Sequence, residues 1–187
     1  MFWLYILVFW IFLAMLEIEI EGEYGWAKNL PTWRKINKNA PLSFLRNMTG
    51  YHAVLVLMIL CLNHIVFIGF FGFIGFSDEL YILAFQLFLM IYWDFLWFVL
   101  NPHFTIKKFR KEHVLWYTDS EWIMWFPIDY WYALGGSLVL ATWGLLLEQN
   151  TLIFSEYAMT ALLGMVIWVT AVYSSPLYHR WYTFMRK

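Results

Sequence analysis

Five long apolar stretches, joined by polar segments of very unequal length, set the pattern of this chain. They run over about 1–20, 51–74, 79–101, 129–147 and 152–174. Each reaches the roughly 20 residues a helix needs to cross a bilayer core, where a helix satisfies its own backbone polar groups. The pattern predicts an all-α, polytopic integral membrane protein with five transmembrane helices in a single membrane domain, 1–187. Two connections are short, around Ser77-Asp78-Glu79 and from Glu148 to Thr151. They make the helices they join antiparallel neighbours. The other two, about 21–50 and 102–128, are long and hold most of the irregular sequence.

Local signals refine these limits. Ser77 is placed to cap the third helix. Gly22, Gly25, Pro31, Pro41 and Gly50 break helix through the first long segment. In the second, Thr118-Asp119-Ser120-Glu121 has capping-box spacing and predicts a short helix that lays Trp122, Trp125 and Phe126 in the membrane interface and ends at Pro127. The first stretch, MFWLYILVFWIFLAML, has no basic n-region and no small-residue cleavage site, so it is expected to be a retained helix.

Composition sharpens the class. Of 187 residues, 63% are hydrophobic, 23% aromatic and 13% charged, whereas a soluble domain is about half apolar and a quarter charged. With five spans, all 12 basic residues fall on one side. The positive-inside rule then puts the N-terminus outside and the C-terminus in the cytoplasm. No organelle signal is evident, so a prokaryotic plasma (inner) membrane is the simplest multi-pass placement. A net charge of -1 gives no reason to expect nucleic acid as a partner. The one cysteine, Cys61, excludes an internal disulfide and a Cys-based zinc site. No haem, flavin or nucleotide motif, no HExxH helix and no GxSxG elbow is present.

Candidate chemistry gathers at the basic-loop side. Asp94 lies inside the run QLFLMIYWDFLWFVLNP, where a carboxylate facing lipid is costly. It is expected on the order of 10 Å below the end of its helix, sharing a face with Trp97 and Asn101. Glu17 and Glu21 share a face of the first helix, with Glu19 pointing away. His52 opens the second helix and Asp129 the fourth, while His103 and His113 lie in the second long segment. A carboxylate and imidazole set of this kind suits a divalent metal. Its expected members are Glu17, Glu21, His52, Asp94 and His113, with Asp94 and His52 as acid/base groups. Asn101, His103, Asp129 and His64 are expected as polar support. His64 is roughly 18 Å deeper than His52, near midplane, and is expected to bond across to a neighbouring helix.

Arg34, Lys35, Lys107, Lys108 and Arg110 form basic clusters that attract anionic lipid or phosphate. Thirteen tryptophans supply interface belts and material to wall a pocket for a lipid or isoprenoid. Three functions fit this inventory. The leading one is a small enzyme acting on a lipid or isoprenoid at a cytoplasm-facing site for a metal or head group. The others are a non-catalytic subunit of a membrane complex, as a homo-oligomer or with partner subunits, and a transporter or channel with Asp94 and His64 on its ion path.

Overall fold

The computed structural model describes residues 2–72 and 75–187. Met1, at the start of the first expected helix, and Phe73 and Ile74, at the end of the second, lie outside the described residues. In chain order the elements are α1 (Phe2–Glu21), β1 (Arg34–Ile36), α2 (Ser43–Arg46), β2 (Asn47–Thr49), α3 (Gly50–Phe71) and α4 (Phe76–Leu100). Two 3-10 turns, Ile106–Lys108 and Leu115–Tyr117, lead to β3 (Trp122–Ile123), β4 (Phe126–Pro127), α5 (Ile128–Glu148) and α6 (Thr151–Met185). The five long helices are all long and apolar enough to span a membrane.

α4 is the hub. Of its apolar window 78% is buried, against 17–39% for the other four spans, so it is surrounded by helices while they face outward. It packs along α5, α6 and α1, and more lightly on α3. Small residues permit the close approaches: a Cβ at Gly144 would come within 2.9 Å of the Tyr81 ring, and one at Gly164 within 2.8 Å of Phe88. This is the small-residue packing that membrane helices use where no hydrophobic force draws them together. Hydrogen bonds pin the contacts. Ser137 Oγ donates to the Ala84 carbonyl at 2.7 Å, and the Trp168 indole donates to that of Tyr92 at 3.2 Å.

Several sequence expectations are corrected. The last helix runs to Met185 instead of 174, straight through Pro176. A proline costs one helical hydrogen bond, but the extension buries Tyr182 and places His179 Nε2 3.0 Å from the Val99 carbonyl. The third helix starts at Phe76, and its first-turn acceptor is Asp78, which takes the Gly75 N–H at 2.8 Å. Ser77 is buried with its hydroxyl unpartnered among the described residues. The helix expected from Thr118 onward is instead a tight hairpin, β3 pairing antiparallel with β4 around Met124 and Trp125, both with positive φ. Its capping side chains are engaged elsewhere: Thr118 Oγ1 donates back to Leu115 at 2.9 Å and Ser120 Oγ donates to Asp129 at 2.8 Å. His64 bonds to Glu79 at 3.0 Å, one turn into α4. It therefore sits toward the end opposite His52, not at midplane.

The first long segment is also ordered by pairing. β1 and β2 are antiparallel, with Arg34 opposite Thr49, and β2 runs directly into α3. Thr49 then caps that helix, its Oγ1 accepting the His52 N–H at 3.2 Å. The ribbon thus fixes where α3 begins and where its first imidazole stands.

Candidate metal and lipid site

Glu17 and Glu21 lie four residues apart at the end of α1, which puts both on one face. Both are buried, at 6% and 8% exposure, and so is His52, at 5%. His52 Nε2 lies 3.5 Å from an oxygen of each carboxylate. These three are the group of His, Cys, Asp or Glu side chains, among the described residues, whose donor atoms converge within 4.8 Å. His52 Nδ1 is 2.7 Å from Thr49 Oγ1. That partner orients the ring, the arrangement that fixes a ligating histidine's tautomer. Glu19 points away, to an exposed ion pair with Arg186 at 3.3 Å.

A lid closes over the three. Trp26 stacks on the His52 ring at 4.2 Å between centroids and on Trp116 at 5.6 Å, and its indole donates to the Asn47 carbonyl at 2.7 Å. Trp26 and Ala27 have φ of 48° and 52°. The chain so turned delivers the Ala27 N–H to Glu21 and the Ala27 carbonyl to Arg34. Asn101 Nδ2 donates to the Gly22 carbonyl at 2.8 Å, tying the end of α4 to that of α1. Asn101 therefore supports the site through the backbone.

Asp94 stands across from the three, within electrostatic reach of Glu17, Glu21 and His52. One of its oxygens, Oδ2, accepts both the Tyr130 hydroxyl at 2.5 Å and the Tyr117 hydroxyl at 3.1 Å. Burial, and next the Asp94 charge, push the Tyr117 phenol well above its ordinary value, so it stays a donor. Asp94 is only part-buried because it borders a cavity of about 410 Å³ that Glu17, Glu21 and His52 also line. Most of the remaining wall is apolar or aromatic, including Val56, Leu87, Met90, Trp93 and Trp97.

The cavity lies between α3 and α5 on the flank of α4, and α3 and α5 make no extensive contact with each other. Leu45 and Tyr132 stand at its edge, 41% and 60% exposed. Its lining on α4 runs from Leu87 to Trp97, so the cavity reaches about 15 Å along that helix.

Asp129 is a latch. Its Oδ1 accepts the Ser43 N–H at 2.6 Å and its Oδ2 accepts Ser120 Oγ at 2.8 Å and Ser43 Oγ at 3.1 Å. Arg46 donates to the Asp119 carbonyl at 3.1 Å beside them. One carboxylate thereby ties the two long segments to the start of α5.

Other expected site residues stand apart. His113 is exposed and outside the cavity lining, which removes it from the metal set; the turn that carries it points to solvent. Asp94 is not in the close group of three and faces it across the cavity. His103 is exposed and serves through its backbone, its carbonyl accepting Lys108 Nζ at 2.6 Å. Lys35, Lys107, Lys108 and Arg110 lie on the exposed surface, and Arg34 is committed to the lid. None of these five lines the cavity, and neither does His64.

The sequence reading missed Tyr117 and Tyr130 as partners of Asp94, and Trp26 as the lid. No local spacing links them, although Thr49 is legible three residues before His52. Comparison of the chain with family models, with curated proteins and with solved structures gave no match.

Proposed function

We propose that this membrane protein is a small, divalent-metal-dependent enzyme acting on a lipid, with Glu17, Glu21 and His52 as metal ligands and Asp94 as proton acceptor. The observation that carries this reading is the spacing of His52 from each glutamate at the polar end of a largely apolar cavity between α3 and α5. Two ligands on one tetrahedral cation, each at about 2.1 Å, are about 3.4 Å apart. An ammonium hydrogen-bonded at about 2.8 Å would hold its acceptors about 4.5 Å apart. The His52 distances of 3.5 Å fit the cation. They are also too long for hydrogen bonds of imidazole to carboxylate.

The ligand types agree, since imidazole and carboxylate together suit zinc, iron or manganese. A cation bound there would lower the pKa of an oxygen ligand. Asp94 Oδ1 has no hydrogen bond among the described residues, and Oδ2 is occupied by two tyrosines, so Oδ1 is the atom left to receive a proton. The orientation proposed with this site is N-terminus outside, in a prokaryotic plasma membrane. It is supported by the basic residues, which all fall in the two long segments or near the end of α6.

Elemental analysis of protein purified in mild detergent tests the reading. The expected result is one divalent metal per chain, lost in Glu17→Gln and in His52→Ala while helicity by circular dichroism is kept. Folded wild-type protein with no stoichiometric metal after reconstitution with zinc, iron or manganese would refute it.

A further inference from the structure

The charge inventory of the cavity narrows what can enter it. No lysine or arginine lines it among the described residues, while Glu17, Glu21, Asp94 and Asp129 do. Two glutamates balance one divalent cation, which leaves Asp94 and Asp129 as negative charge in the wall that no cation offsets. An anionic phosphate or carboxylate head would meet that charge with no guanidinium or ammonium to offset it, an unfavourable pairing in a low-dielectric site. The exposed lysines that attract anionic lipid are elsewhere on the surface.

Two further features say what the head must offer. Asp94 Oδ1 lacks a donor among the described residues, since both tyrosines bond to Oδ2. Trp97 and Trp116 also line the cavity, at 3% and 7% exposure. Their indole N–H groups have no acceptor among the described residues, a cost that a buried polar group seldom carries unpaired. A hydroxyl meets both demands at one neutral group, because it donates one hydrogen bond and has two lone pairs, one for an indole N–H and one for a cation.

The rest of the ligand is written in the wall. Past the polar end the lining is hydrocarbon and aromatic, and the flanking helices α3 and α5 are mostly unburied, with 17% and 22% of their apolar windows covered. A second, almost wholly apolar cavity of about 350 Å³ lies beyond, between α5 and α6, and shares Ile91 and Tyr130 with the first. Tyr130 thus offers its hydroxyl to Asp94 and lines both chambers.

We infer that the ligand of this site is an uncharged, hydroxyl-headed lipid that enters sideways from the bilayer, its hydroxyl toward Asp94 and the Glu17–Glu21–His52 group and its chain along Val56 and Met90. The inference rests on the proposed metal site, and its test separates the two. Protein in detergent is crosslinked with a diazirine-bearing hexadecanol, and the labelled peptides are mapped by mass spectrometry. Hexadecanol and palmitoyl lysophosphatidate are the competitors, and metal content is measured on the same samples.

The expected outcome is labelling on the α3 and α4 cavity wall, displaced by hexadecanol at concentrations at least about tenfold below those lysophosphatidate requires. Asp94→Asn weakens the hexadecanol competition about tenfold and keeps the metal. Val56→Trp fills the chain path, abolishes labelling and also keeps the metal, so it serves if the Asp94 variant fails to fold. Equal or better competition by lysophosphatidate, or labelling spread evenly over the outer helix faces, would overturn the inference. Preference for the alcohol in protein that holds no metal would overturn the metal reading alone.

Discussion

At the residue scale the cost of Asp94 explains its surroundings. A carboxylate within a spanning helix must be paired, and Tyr117 and Tyr130 reach it from two different parts of the chain, each giving a hydrogen bond to the same oxygen. Bonds to a charged acceptor are worth about 1.5–3 kcal/mol, and the shorter is the one from Tyr130, at 2.5 Å. Tyr130→Phe is therefore expected to lower the thermal unfolding midpoint in detergent more than Tyr117→Phe. Each loss should fall in a range of about 1–3 kcal/mol, read by tryptophan fluorescence during heating. Equal stability of both variants and wild type would mean that Asp94 is held by water or by a ligand and not by the phenols. The acidic character of this helix is plain in the primary structure. The identity of its partners is not, because Tyr117 and Tyr130 are 23 and 36 residues away and contacts at that range depend on how α5 docks.

At the element scale α4 is held by contacts that a larger side chain would break. Gly164 on α6 meets the Phe88 ring so closely that an added Cβ would lie 2.8 Å from it, and overpacking of this kind costs about 1–3 kcal/mol. Gly164→Leu is expected to lower the unfolding midpoint, while Gly135→Leu, at a glycine with open space around it, leaves the midpoint unchanged. A Gly164→Leu variant as stable as wild type would show that α6 does not pack on α4 in the way described. The helices themselves were legible from apolar run length, to within a few residues at most ends. Two elements escaped that reading for a shared reason. The end of α6 and the β3–β4 hairpin are decided by side chains that find distant partners, His179 with Val99 and Ser120 with Asp129. Local capping statistics do not include such partners.

At the scale of the whole molecule the asymmetry of charge makes a prediction about insertion. In a Cys61→Ser background, a cysteine at Glu112, in the long segment before α5, and one at Gln149, in the short α5–α6 turn, should label from opposite sides of the membrane. With the proposed orientation an impermeant maleimide added to intact cells reaches position 149 and leaves 112 unlabelled until the cells are opened. Labelling of both positions from outside would rule out five spans of this arrangement. The converse pattern would invert the orientation and move the cavity's polar end to the outer face.

The boundary between what the primary structure determined and what the tertiary structure decided follows the range of the forces involved. Apolar run length and charge placement act locally or through the bilayer. The primary structure by itself therefore determined an all-α membrane protein with five spanning-length helices, the shared face of Glu17 and Glu21, and a concentration of ionisable groups near one end. Only packing decided that α4 is the hub, that His52 closes on those glutamates while His113 stays in solvent, and that Asp129 becomes a latch. Packing also set the cavity between α3 and α5. Each of these outcomes depends on which helices meet and at what rotation, and that is set by small contacts such as Gly144 on Tyr81 and Gly164 on Phe88, summed over the whole bundle.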